Sequence, residues 1–300
     1  MALLSATQGT PERVYSLVRV LSAHGGGLER NELFAWLNPR YVQEGQASRD
    51  EKSAADQTIQ AALSLKLIDT SDRSIVRLLL DRIPASFVEL SDLVHAKLST
   101  MSDADADAVL FEVLAWLTLQ IEIEGSTIWV NEWSAQEFAD RANEALTADE
   151  AEGGDRRFNS TKRAPWRRWI EFVGLSTMLP TNQDYPCVTS RLRREIGSCG
   201  LPFDQELDAH ILLGRISQRM PYLDGGRIFE QACRARDYRM PPRKVSRFLS
   251  VGLRDLEAEG VLKFVLRGDA RENYELASDR FSKFQSFGAV VLSEEGVADG

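Results

Sequence analysis

Two short stretches of this 300-residue sequence hold residue types at spacings that could do chemistry. His24-Gly25-Gly26-Gly27 has the look of an esterase oxyanion segment. That chemistry needs a Gly-x-Ser-x-Gly nucleophile elbow, which the sequence lacks, and a helix end explains the glycines equally well. Asp103, Asp105 and Asp107 begin like a calcium loop, but Ala108 and Leu114 stand where glycine and a bidentate glutamate are required. Read as the first turn of a helix capped by Ser102, the three carboxylates complement the helix dipole. His24, His95 and His210 stand in unrelated contexts. Cys187, Cys199 and Cys233 are odd in number and form no Cys-x-x-Cys pair, so neither a zinc site nor a disulfide framework is expected. No glycine-rich phosphate loop or dinucleotide fingerprint occurs. The expectation is a chain that is not an enzyme and carries no cofactor and no metal.

The other candidate chemistry is recognition of anions. Net charge is −9, against a general nucleic-acid binder, but the charge is unevenly divided. Residues 1–154 carry 12 Lys and Arg against 25 Asp and Glu, whereas residues 155–300 carry 24 against 20. A polyanion should therefore meet the second half, where almost every cation is Arg, the side chain suited to bidentate phosphate contacts. Arg243, Lys244, Arg247 and Arg254 fall at spacings that put several on one helix face, opposite Leu249, Leu253 and Leu256. Arg267 and Arg271 bracket a turn, Arg-Gly-Asp-Ala-Arg-Glu, at the tip of a hairpin expected over 261–276. Such a helix and tip could follow phosphates and reach base edges. Asp255, Glu257, Glu259, Asp269 and Glu272 interleave with them, and internal pairing or simple solvation is the alternative. A second set, Arg156, Arg157, Lys162, Arg163, Arg167 and Arg168, lies among Phe158, Trp166 and Trp169. Cations with aromatics can hold phosphates while a base stacks; alternatively the tryptophans anchor a helix in a core. Arg191, Arg193 and Arg194 form a weaker version of the same idea.

These residues need elements to position them. Thr10 and Pro11 start a helix whose Val14, Leu17, Val18 and Leu21 form a stripe ending at Gly25–Gly27. A second helix over 28–37, a third over 52–66 and a hairpin turning at Thr70–Arg73 follow. The same order of helices and hairpin recurs from 204 onward. Placing Lys66-Leu67-Ile68 over Gly260-Val261-Leu262 also sets Ile59 on Leu253 and Ala62 on Leu256. The expected fold class is mainly α with small β-hairpin wings, in tandem winged helix-turn-helix domains. Four segments are expected: an N-terminal winged helix over 1–82, a helical middle domain over 83–150, a basic linker with helix and hairpin over 151–203, and a C-terminal winged helix over 204–300. The third segment could be a degenerate winged helix. Residues 119–133 alternate around Gly125 and could form a hairpin; a turn near Asn182–Asp184 suggests another. The third helix of the N-terminal unit carries Asp50, Glu51 and Asp56, a surface suited to a protein partner rather than to phosphate. No apolar run approaches bilayer length and no signal peptide is visible, so a cytoplasmic protein is expected.

With these elements in view, the chain resembles a known family. "GTPERVYSLVRVLSAHGG" with "LERNELFAWLNP", the central "RWIEFVGLSTMLP", and "RMPYLDGGRIFEQA" with "SVGLRDLEAEGVLKF" look like DpdG-type bacterial proteins, encoded beside DNA-modifying 7-deazaguanine enzymes and phage-defence helicases. The resemblance implies an accessory subunit of a defence apparatus that works with ATP-driven partners. It supplies no catalytic residues. Three roles remain open at this point: a DNA-binding accessory subunit with ATPase, helicase or nuclease partners, a kleisin-like protein scaffold without DNA contact, and a winged-helix transcription regulator.

Overall fold

A computed structural model describes residues 3–38, 49–146, 157–181, 183–269 and 272–298, with the backbone alone for 49–53 and 298. The chain is mainly helical, with small antiparallel sheets. It divides into two compact units, Met1–Leu110 with Thr161–Val173, and Phe111–Ser160 with Gly174–Gly300.

In the first unit, α1 (Pro11–Ala23) starts as the sequence predicts. Thr10 accepts from the Arg13 amide, Pro11 occupies the first turn, and Val14, Leu17, Val18 and Leu21 are buried. Gly25 and Gly26 take φ of 71° and 87°, and the Gly26 amide returns to the Leu21 carbonyl, closing the helix. Next come β1 (Gly27–Glu29), α2 (Arg30–Leu37), α3 (Arg49–Ser64), β2 (Ile68–Asp69) and β3 (Ile75–Leu78). The last-made strand lies in the middle of the sheet, in the order β1-β3-β2, with Leu28 opposite Val76. A further helix, α4 (Phe87–Ser99), is capped by Ser86, whose hydroxyl accepts from the Glu89 amide.

Residues 102–108 do not form the first turn of a helix. They make turns, and α5 (Val109–Glu124) begins after them. Asp105 accepts from the amide and hydroxyl of Ser102. Asp107 is buried and accepts from the Leu3 amide and the Ser64 hydroxyl. The carboxylate needed as an internal anchor is not available as a dipole partner. The stretch expected as a hairpin at 119–133 holds no strand: α5 continues to Glu124, and α6 (Trp129–Glu132) follows after a short turn. Residues 108–121 are buried nearly all round, and with apolar side chains on every face the spacing cannot tell a strand from a helix. Then come α7 (Ala135–Leu146) and α8 (Ser160–Phe172). From α8, Trp166 donates to the Leu110 carbonyl, and the Ser91 hydroxyl donates to the Phe172 carbonyl.

The second unit continues with a hairpin, β4 (Ser176–Met178) and β5 (Asp184–Pro186), then α9 (Thr189–Ser198), β6 (Glu206–Asp208), α10 (Ala209–Arg219), α11 (Arg227–Ala235) and α12 (Arg247–Ala258). The chain ends with β7 (Leu262–Val265), β8 (Tyr274–Glu275), β9 (Ser286–Phe287), β10 (Ala289–Leu292) and α13 (Glu294–Ala298). Its sheet order is β6-β10-β7, with Leu207 opposite Val290. The series α9, β6, α10, α12, β7, β10 thus repeats α1, β1, α2, α3, β2, β3, with α11 and the β8–β9 excursion inserted. The first helix of the repeat is α9, which lies before residue 204, where the sequence placed the start of the second unit of the repeat.

The overlay read from the sequence has a backbone counterpart. Lys66 and Gly260 both take left-handed φ, 53° and 74°. The Leu67 amide returns to the Ala62 carbonyl at 2.9 Å, and the Val261 amide to the Leu256 carbonyl at 2.9 Å. Ile59, Ala62, Leu253 and Leu256 are all fully buried. Burial of the two leucines contributes about 1.5–3 kcal/mol each.

Candidate nucleic-acid interface

The helix–wing surface expected over 243–276 is rearranged in three ways. First, Pro241-Pro242 keep the chain out of helix, and α12 starts only at Arg247, with Ser246 as its cap accepting from the Leu249 amide. Arg243 and Lys244 therefore precede the helix and do not share its face with Arg247 and Arg254. Secondly, the described residues of 261–276 do not pair with one another as a hairpin. β7 pairs with β10, and Tyr274–Glu275 pair with Ser286–Phe287. Where a partner strand was expected, the Asn273 side chain stands in for it, accepting from the Arg267 amide at 3.0 Å and donating to the Arg267 carbonyl at 3.1 Å. Thirdly, the N-terminus of α12 is occupied by carboxylates of the same unit. Glu122, only 4% exposed, accepts from the Arg247 amide at 2.7 Å and from the Lys244 ammonium at 2.6 Å. Asp224 accepts from the Ser246 amide and hydroxyl, both at 2.6 Å. A helix N-terminus that could receive a phosphate is thus already satisfied.

The charges follow this geometry. The hydrogen bond that Lys244 donates to Glu122 raises the Lys244 pKa above its ordinary value, strengthening an internal pair. Arg254 turns to the Ser282 hydroxyl and the Phe284 carbonyl, and desolvation pulls its pKa down. Arg267 is held by Glu206 at 2.8 Å and Asp208 at 2.6 Å. Asp255 accepts from Thr189, and Glu259 pairs with Arg193, so the acids of α12 grip α9. At Gly252 the two helices come so close that an added Cβ would lie 2.4 Å from Val188 Cγ1. Among the described members of the first set, Arg243 alone is exposed, its guanidinium 5.4 Å from the centre of the Tyr274 ring. Arg271 lies outside the described residues.

The second set is also dispersed. Trp166, Trp169 and Phe158 are buried, so the tryptophans anchor a core and are not stacking platforms. Arg157 pairs with Glu112 at 2.8 Å. Lys162, Arg163 and Arg167 are half-buried on α8, where Arg168 is exposed. Arg156 lies outside the described residues, with most of the linker expected around it. Arg191 is fully buried and pairs with Glu195, which also accepts from Arg219 at 2.5 Å.

Exposed cations gather instead on the connection between α11 and α12, at Arg234, Arg236, Arg239 and Arg243. Arg234, Arg236 and Arg239 were not among the sequence candidates. Four Arg within ten residues was the available signal. Glu122 and Asp224 were missed because nothing local marks a carboxylate that caps a helix over a hundred, or twenty, residues away.

Among the described residues, no group of His, Cys, Asp and Glu could hold a metal ion, and no helix is long and apolar enough to cross a membrane. Fold and surface define a mainly helical protein in which Glu122, Asp224, Lys244, Arg254 and Arg267 brace elements of the second unit. The chain belongs to the DpdG-like family, whose model matches residues 1–270. Membership suggests a role in a DNA-modification and defence cluster. No curated protein and no solved structure matches the chain.

Proposed function

We propose that this chain is a non-catalytic, DNA-binding accessory subunit of a bacterial anti-phage defence system. It acts in the cytoplasm with ATPase, helicase or nuclease partners. Its two helix–strand repeats are winged-helix modules, each with three helices and a sheet whose last strand lies centrally. DNA is held along its phosphate backbone by the second unit, and chemistry comes from the partners.

The observation that carries this mode is the closure of α12. Glu122 and Asp224 fill its N-terminus, and Lys244 and Arg254 are engaged within the unit. A helix so engaged is a poor base reader, which disfavours a sequence-specific regulator. The same observation supports a second reading, a kleisin-like scaffold with no DNA contact.

Purified full-length protein separates these readings in a mobility-shift experiment with duplexes of unrelated sequence. Sequence-independent retardation that weakens steeply with salt is expected, with co-purification of an ATPase encoded nearby. Absence of any shift at low salt, with the ATPase still bound, would leave the scaffold. Protection of one palindromic site would restore the regulator.

A further inference from the structure

We infer that Arg234, Arg236, Arg239 and Arg243 form a phosphate-tracking strip for nucleic acid, built on the rigid connection between α11 and α12. This rests on the DNA-contact reading above and assigns its residues.

The four guanidinium groups are available. All four residues are exposed, and none forms an ion pair among the described residues. In contrast, Lys244, Arg157, Arg193, Arg219 and Arg267 each hold a carboxylate of the same unit. Glu230 and Asp237 are the acids within or beside the stretch, both exposed and neither bridged to these arginines. Glu275 faces the last of them across a cleft.

The segment is also held in place, so that binding need not order it. Its first end is a helix stop: the Tyr238 amide returns to the Cys233 carbonyl at 2.9 Å and the Asp237 amide to the Arg234 carbonyl at 3.1 Å. Asp237 takes the left-handed φ of 46° that this stop requires, and Tyr238 packs on the Cys233 cluster with Leu119 and Phe229. The backbone that carries Arg234 and Arg236 at the end of α11 is therefore fixed. The other end is tied to β8. The Glu275 amide donates to the Arg243 carbonyl at 2.7 Å, and the Val245 amide donates to the Glu275 carbonyl at 2.8 Å. Arg243 itself sits at φ 58°, a conformation that a long side chain rarely adopts and that the two ties enforce.

Beside Arg243 opens a cleft of about 510 Å³, where the side chains free to meet a ligand are Arg243, Glu275, Ser278 and Ser286. The Asn273 and Gln285 amides, also at its wall, are used internally. Hydroxyls and a carboxylate beside a guanidinium suit a sugar–phosphate unit: Arg243 meets the phosphate and Glu275 accepts from a sugar or base donor. The nine steps from Arg234 to Arg243 span at most roughly 30 Å. A duplex presents one phosphate of each strand for about every 3.4 Å of its axis, so a span of that length offers enough phosphates for four arginines.

The experiment measures anisotropy of a labelled single strand and a labelled duplex, both of unrelated sequence, over a salt series with the full chain. Four contacts give a slope of log K against log salt of about −3.6 for duplex and about −2.8 for single strand. Replacing all four arginines with Gln should flatten the slope by that amount and weaken low-salt binding at least about tenfold. R234Q/R236Q alone should remove half of the slope. Arg168→Gln, on α8, should leave both unchanged. An unchanged slope in the fourfold variant, with an unchanged melting midpoint, overturns the strip while leaving DNA binding intact. No binding by the wild type overturns both. If polyglutamate of equal charge displaces DNA as well as unlabelled DNA does, the surface receives an acidic protein and the nucleic-acid assignment falls.

Discussion

Glu122 is the residue on which the closure of α12 turns, and its replacement tests that closure quantitatively. Its carboxylate makes two bonds of different worth. The bond from the Lys244 ammonium, 2.6 Å, involves a side chain 32% exposed, so solvent screening limits it to about 0.5–1 kcal/mol. The bond from the Arg247 amide, 2.7 Å, is charge-assisted and caps the first turn of α12, which contributes about 1.5–3 kcal/mol. Glu122→Ala should therefore cost roughly 2–4 kcal/mol. Glu122→Gln keeps an acceptor for the Arg247 amide but loses the charge, and should cost about half as much. For a unit of this size 1 kcal/mol moves the melting midpoint by about 2–4 °C, so the alanine variant should melt roughly 5–15 °C lower. Hydrogen exchange adds a local readout, with faster exchange over 247–258 than elsewhere in the second unit. A Glu122→Ala protein melting within about 1 °C of wild type, with α12 equally protected, would refute the reasoning, because the carboxylate would then be a surface bystander.

Gly252→Ala forces a methyl group to 2.4 Å from Val188 Cγ1 and should cost about 1–3 kcal/mol in urea denaturation, partly restored by Val188→Ala. Asp224 has its carboxyl shut off from water although the residue as a whole is half-buried, and desolvation raises its pKa from the usual 3.8. The folded state then holds this proton to higher pH than the unfolded chain. The contribution is complete below about 3.8 and is lost as pH rises through the raised folded value, so Asp224→Asn should flatten the fall of stability with pH above 3.8. Burial pushes the Cys233 thiol up to about 12. A thiol reagent at neutral pH should label the half-buried Cys187 and Cys199 in the native protein, and Cys233 only after unfolding.

What could be read from the sequence was what nearby residues decide. The Thr10–Pro11 start, the glycine stop of α1, the turn between β2 and β3 and the 194-residue offset joining Leu67 to Val261 all depend on local backbone chemistry, and they are present. What could not be read was decided at long range. β1 and β6 are three-residue strands with no pattern of their own, existing because β3 and β10 lie beside them. The hairpin expected at 261–276 lost to β10, whose four residues offer a better-buried partner for β7. Charge spacing located Arg247 and Arg254 correctly on α12. It had no means of foreseeing Glu122, 125 residues before Arg247, or the 282–284 carbonyl and hydroxyl that engage Arg254.

The central position of β10 has a bearing on how the protein is made. On the ribosome, β6 and β7 emerge first and have no hydrogen-bonding partner in each other; the strand that joins them is translated more than twenty residues after β7. Until Ala289–Leu292 leave the exit tunnel, both edges stay open and Phe264 and Leu207 lack their covering neighbours. A nonsense mutation just upstream of residue 289 would thus leave β6 and β7 without the strand that joins them, a natural substrate for chaperones and proteases.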